Sequence, residues 1–288
     1  MIPALLLASS ISLSTGRSIF SKEVSISTNN KKSFFFYQTC LFLVATIVIF
    51  FFDVKFFLNV SRETLVYGLI YGALLLGSQW LYTIALFNGK ASVCSMVYSF
   101  GFIIPTLCGF IFWNETVTAL KVVGICLVIP LIVLISIKKK GDEQKSNLYL
   151  IPLILSAICS GGLGVVQKLQ QRSQFANERI AFLMIGFSIV FVISLICFLI
   201  IKKPAETEWI ELKPTLFSLA TGICFGIANV VNTVLASMIE ANILFPIQNI
   251  GVILMVTIIG FIMFKEKPKI NEVIAFALGI TSIILLVL

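Results

Sequence analysis

A few polar side chains interrupt long apolar runs, and their types and spacing decide what chemistry this sequence can support. Gln79, Trp80 and Tyr82 break the run at 64–87. Gln79 and Tyr82, three apart, share one face of a helix. Asn229 and Asn232 repeat that spacing within 214–238, with Thr233 beside them. Tyr98 and Ser99 interrupt 91–113, and Gln248 and Asn249 interrupt 241–264. These are neutral hydrogen-bonding and aromatic groups, suited to holding a polar solute rather than to moving protons. The sequence has no His, which removes the commonest proton shuttle and metal ligand. Its 13 acids all fall in loops or at the ends of apolar runs, and the 7 Cys show no metal-clip spacing. An enzyme would need convergent acids, a metal or a nucleophile–base pair. No catalytic residue, metal site or cofactor is therefore predicted.

The elements that carry these residues must be membrane helices. Charged residues make up 12% of the 288, half of what a soluble domain carries, and the mean hydropathy is +1.06. In lipid every backbone group must be paired within the segment, so runs of about 20 apolar residues are helices. Ten are predicted, at 2–20, 34–52, 64–87, 91–113, 117–137, 148–170, 180–201, 214–238, 241–264 and 270–288. The apolar start at 2–8 lacks a basic n-region and a cleavage site, so it is expected to belong to the first helix. The net charge of +8 sits in short clusters such as Lys138–Lys140, the pattern of headgroup anchoring rather than of a nucleic-acid face. The expected partners are the lipid bilayer and a small-molecule substrate, with no nucleic acid.

The two halves of the chain repeat. Gly109–Glu115 aligns with Gly260–Glu266 at an offset of 151, and Arg17 aligns with Lys168 at the same offset. Ile2-Pro3 aligns with Ile151-Pro152 at 149, and the Gly68/Gly72 pair has a counterpart in Gly222/Gly226. The predicted organisation is a first repeat over 1–137, a polar linker at 138–147 and a second repeat over 148–288. Five helices per half make the second repeat enter the membrane from the opposite side, an inverted-topology repeat with both termini on the same side. Lys and Arg divide 15 to 6 between odd-numbered and even-numbered loops, which by the positive-inside rule puts both termini outside.

A helix ending in Gly–apolar–aromatic–x–Glu before a short turn occurs at Gly109–Glu115 and again at Gly260–Glu266, with Pro105 ahead of the first copy. Across nearly the whole chain this resembles the EamA family of the drug/metabolite transporter superfamily. The resemblance implies an all-α integral membrane protein of ten helices in two five-helix inverted repeats. It implies a bacterial plasma (inner) membrane with cytoplasmic termini, which disagrees with the charge distribution. It also implies a secondary transporter of small organic solutes, an exporter of amino acids or related metabolites, with a cavity lined by helices one, three, four, six, eight and nine. Gln79, Trp80, Tyr82, Tyr98, Asn229, Asn232, Gln248 and Asn249 fall on four of those helices. The Trp-Gly often found early in the family's first helix is absent; Ser9, Ser10 and Ser12 stand there.

Glu115 and Glu266 are expected to stabilise the N-terminal dipole of the helix that follows each, with Pro268 suited to a first turn. Arg17 and Lys168 are expected either to snorkel to headgroups or to form a cationic mouth that selects anionic groups. No acid lies mid-helix in the first helix, where small multidrug-resistance proteins keep one, so antiport of cationic drugs by that device is not expected. The competing functions are a flippase for a lipid or lipid-linked sugar and a membrane-embedded enzyme.

Overall fold

The computed structural model describes residues 2–26, 28, 30–54, 60–88, 98, 100–136, 150–202, 210–264 and 270–287. Among these residues there are ten α-helices and no strand: α1 (Ile2–Ile26), α2 (Lys31–Phe50), α3 (Arg62–Asn88), α4 (Ile103–Phe112), α5 (Ala119–Ser136), α6 (Leu150–Arg172), α7 (Arg179–Ile200), α8 (Leu212–Met238), α9 (Ala241–Phe264) and α10 (Ile270–Val287). Short 3-10 turns lead into α4 at Phe100–Phe102 and into α7 at Ala176–Glu178. The predicted linker 138–147, Ser99 and Glu266 lie outside the described residues.

Five segments are long and apolar enough to cross a membrane: Lys31–Phe50, Arg62–Ala85, Leu150–Arg172, Ala176–Ile200 and Leu212–Met238. Three shorter apolar stretches fall in α4, α9 and α10. Many large apolar side chains on these helices face outward, among them Leu69, Ile111, Phe112, Leu155 and Leu199. A water-soluble bundle would bury them; lipid makes that face stable. The first helix differs. Its 25 residues reach about 37 Å at 1.5 Å per residue, but hydroxyls run along it. Ser9, Ser12, Thr15 and Ser18 donate to the carbonyls of Leu6, Ala8, Ile11 and Ser14, which pairs those hydroxyls inside the helix.

The chain forms two compact units, Met1–Ala73 with Leu169–Ser237, and Leu74–Lys168 with Met238–Leu288. Each draws helices from both halves of the sequence. In the first unit α2 packs on α7, the second helix of each half. Gly68 and Gly72 of α3 lie against Phe182, Ile185 and Gly186 of α7. Gly222 and Gly226 of α8 lie against Leu41, Val44, Ala45 and Val48 of α2. The third helix of each half thus uses its glycine pair to approach the second helix of the other half. Phe42, Tyr71, Phe182, Phe187 and Phe225 fill the space between these helices, with ring centroids 4.8–6.5 Å apart. The ends are tied by charge. Lys32 donates to the carbonyls of Phe198 (2.6 Å) and Ile201 (2.5 Å) at the α7 C-terminus, where a cation suits the dipole. Glu178 accepts from the backbone N–H (2.9 Å) and the hydroxyl (2.8 Å) of Ser61, ahead of α3.

In the second unit α4 packs on α9 and α5 on α10, again the corresponding helices of the two halves. Gly124 lets α5 approach Ser282 and Leu286 of α10, and the Ser282 hydroxyl donates to the Gly124 carbonyl at 2.6 Å.

Candidate functional site

In the first unit, α1 and α8 present facing polar strips. On α1, Ser10, Ser14 and Arg17 recur at i, i+4 and i+7; on α8, Phe225, Asn229 and Asn232 do the same. Ser10 donates its hydroxyl to Asn232 Oδ1, and the Arg17 guanidinium lies 3.7 Å from the centroid of the Phe225 ring. Asn229 is buried, accepts the Tyr71 hydroxyl at 2.6 Å and donates to the Phe225 carbonyl at 2.9 Å. Thr233 donates to the Asn229 carbonyl and is fully buried. The structure thus places Asn229, Asn232 and Arg17 on one strip and adds Ser10 and Tyr71 to it. Tyr71 was missed because a Tyr in an apolar helix reads as packing; nothing local to position 71 announces a partner 158 residues away.

The second unit holds the other polar residues. Tyr82 and Tyr98 lie with ring centroids 4.7 Å apart, and the Tyr98 hydroxyl hydrogen-bonds the buried Ser78 at 2.9 Å. Ser78 was missed because hydroxyls in membrane helices usually bond their own backbone. Gln79 and Trp80 are half-buried on the same helix. In α9, Gln248 is buried, while Asn249 donates to the Phe245 carbonyl of its own helix at 2.9 Å. Gly260 lies within α9.

The predicted role of Glu115 needs correction. The sequence places its carboxylate at the dipole of the helix that follows, α5. Instead it accepts the N–H groups of Ala241 (2.8 Å) and Asn242 (2.9 Å), the first turn of α9. The reason is the chain reversal after α4. Asn114 takes φ 51°, and the Glu115 N–H donates to the Gly109 carbonyl at 3.1 Å. That folds the side chain back across Gly109, where a Cβ would collide with the carboxylate. Pro105 is buried on α4, beside Gly164 of α6.

Lys168 is corrected as well. It does not snorkel: it is 5% exposed, donates to the Ile239 carbonyl at 2.5 Å and stands 3.6 Å from Glu115. A second pair lies next to the same turn. Lys121 is buried and donates to Glu240 at 2.8 Å and to the Thr116 hydroxyl at 2.6 Å. The Asn242 amide donates to the Thr116 carbonyl at 3.2 Å. Glu115, Lys121 and Lys168 therefore converge on residues 239–242, the turn between α8 and α9.

Glu240 lies outside the spans, and its hydrogen bond from Lys121 holds its carboxyl below the usual carboxylate range. Burial opposes that shift and the Thr116 hydroxyl adds to it. A carboxyl lowered on folding contributes stability above its unfolded pKa, about 4.3, and loses it as pH falls through the lowered value. Thermal stability of the detergent-solubilised protein is therefore expected to fall below about pH 4.3, and Glu240→Gln is expected to flatten that acid limb. An acid limb unchanged by Glu240→Gln would contradict the assignment.

Among the described residues no cluster of three or more His, Cys, Asp or Glu could hold a metal ion. What the sites offer is hydrogen bonding, aromatic faces and a fixed cation, the means of binding a polar solute inside a membrane.

No curated protein matches the chain. A solved structure titled only "Crystal structure of protein" superposes with a TM-score of 0.78 over 98% of this chain and 95% of that one. At 18% identity this likeness speaks for the fold alone. Residues 147–288 match the EamA-like transporter family. Those residues belong to the EamA-like transporter family of the drug/metabolite transporter superfamily, and that match marks the chain, an integral membrane protein, as a membrane transporter.

Proposed function

We propose that the chain is a secondary transporter that moves small organic solutes by alternating access, and that it exports amino acids or related metabolites. The observation that carries this is the strip in the first unit where Ser10, Tyr71, Asn229, Asn232 and Arg17 gather on membrane helices. Polar groups on membrane helices are retained where they bind something or pair with one another, and here Ser10 meets Asn232 while Tyr71 meets Asn229 on the same helix. The reciprocal glycine contacts and the pairing of corresponding helices support two homologous halves arranged as an inverted repeat. We place the protein in a bacterial plasma membrane with both termini on one side.

Asn232→Leu tests the reading. It keeps apolar volume and removes the acceptor for Ser10. Proteoliposomes loaded with a mixture of amino acids are expected to release at least one of them through the wild type and about tenfold more slowly or not at all through Asn232→Leu. Release by a folded Asn232→Leu protein at the wild-type rate would remove the strip from the substrate site.

A further inference from the structure

We propose that Glu115, Lys121, Lys168 and Glu240 form a latch that closes one face of the transporter and opens in every transport cycle, freeing the turn between α8 and α9. This rests on the alternating-access reading and names a part of the second unit that alternates.

Three observations lead there. The first is how the turn is held. Each residue from Ile239 to Asn242 is tied by a polar contact. The Ile239 carbonyl accepts from Lys168 (2.5 Å), the Glu240 carboxylate accepts from Lys121 (2.8 Å), and the N–H groups of Ala241 and Asn242 donate to Glu115 (2.8 and 2.9 Å). The partners come from the end of α6 and from the corner between α4 and α5. Water can replace contacts of this kind when a mouth opens, at little enthalpic cost. The Glu240 side chain is 37% exposed, whereas those of Lys168 and Glu115 are 7% and 4% exposed.

The second is cost. Packed apolar side chains in place of a buried ion pair are often neutral or stabilising, so stability does not account for the charges kept here. Asn242 is fully buried, and its Oδ1 has no donor among the described residues. An idle buried acceptor costs free energy and favours any rearrangement that supplies a donor.

The third is the repeat. Glu115 matches Glu266 and Lys121 matches Glu272 at an offset of 151, and Glu240 matches Lys90 at 150. The Lys121–Glu240 positions thus recur with their signs exchanged, so the sequence keeps opposite charges rather than a given ion at a given place. Lys90, Glu266 and the side chain of Glu272 lie outside the described residues. On the inverted-repeat reading this second set belongs to the opposite face, and one latch per face lets one open while the other stays shut.

The test joins two measurements. Deuterium exchange of the protein in lipid nanodiscs, read by mass spectrometry on peptides across 239–242, follows opening of the turn. Proteoliposomes loaded with a small-molecule cell extract, against protein-free vesicles, follow release of solutes. In the wild type the turn is expected to exchange more than about tenfold faster than global unfolding allows. Lys121→Met/Glu240→Leu is expected to slow both exchange and release about tenfold while the unfolding midpoint stays at or above that of the wild type. Lys121→Glu and Glu240→Lys alone are expected to speed exchange at the turn, and the double reversal Lys121→Glu/Glu240→Lys to return exchange and release toward the wild type.

Exchange at the turn no faster than global unfolding would overturn the proposal, since that is what a static staple gives. So would wild-type release by a folded Lys121→Met/Glu240→Leu protein, which would leave the transporter reading standing. Size-exclusion profiles identify misfolded variants; if the apolar pair misfolds, exchange in the wild type and in the charge reversals decides. Release of nothing by wild type would overturn the transporter reading and this inference together.

Discussion

Glu115→Gln is expected to destabilise the folded protein by about 3–5 kcal/mol, the scale for removing one partner of a buried ion pair. The carboxylate does two things. It receives the N–H groups of Ala241 and Asn242, which have no acceptor in the first turn of their own helix, and it stands 3.6 Å from the buried Lys168. Glutamine fills the same volume, but its amide turns a donor toward one of those N–H groups and leaves Lys168 without its counter-charge. Thermal unfolding of the purified protein is the measurement. The double variant Glu115→Gln/Lys168→Gln is expected to lose less than the sum of the two single losses, since the stranded charge is then gone. A wild-type unfolding midpoint in Glu115→Gln would show that this contact does not hold the α8–α9 turn.

Gly222→Val is the second large effect. A Cβ at Gly222 would stand 2.5 Å from the Leu41 carbonyl oxygen, 3.0 Å from Val44 Cβ and 3.3 Å from the Ala45 backbone nitrogen. The nearest of these is backbone, which cannot rotate away, so α8 must move off α2. Overpacking of this kind costs about 1–3 kcal/mol and occasionally more. Gly72→Val is expected to do the same on α7, where a Cβ would lie 3.0 Å from the Gly186 carbonyl oxygen. Loss of monodisperse protein after detergent extraction, in both variants, is the expected result. Wild-type yield and unfolding midpoint in Gly222→Val would mean that α8 does not approach α2 this closely.

Much of the helical framework was legible because lipid allows so few backbone solutions. The predicted run 241–264 coincides with α9, and 214–238 differs from α8 by two residues at its start. The first helix runs to Ile26 rather than residue 20, since its last turns carry Ser21, Lys22, Glu23 and Ser25 and apolar length alone underestimates such a helix. The family motif was also visible in the repeated Gly–apolar–aromatic–x–Glu.

What the sequence did not show is who meets whom. The Gly68/Gly72 and Gly222/Gly226 pairs announce close packing, but spacing within a helix says nothing about the partner, and the partners are α7 and α2. Glu115 could be read as a helix-start acid; that it serves α9, 126 residues on, depends on a chain reversal at Asn114 that side-chain pattern does not encode. Lys168 and Lys121 are buried for the same reason: their counter-charges come from distant segments. Asn229 and Asn232 were picked out by polarity, while their partners Tyr71 and Ser10 belong to types common in any membrane helix.

The measurement that tests the central claim most directly compares the culture medium of cells overproducing the wild type with that of cells overproducing Asn232→Leu at the same membrane level. The account predicts a small set of amino acids or related metabolites enriched outside the cell by the wild type alone. Identical media from the two strains, with both proteins folded and inserted, would contradict export through the strip that Asn232 shares with Ser10.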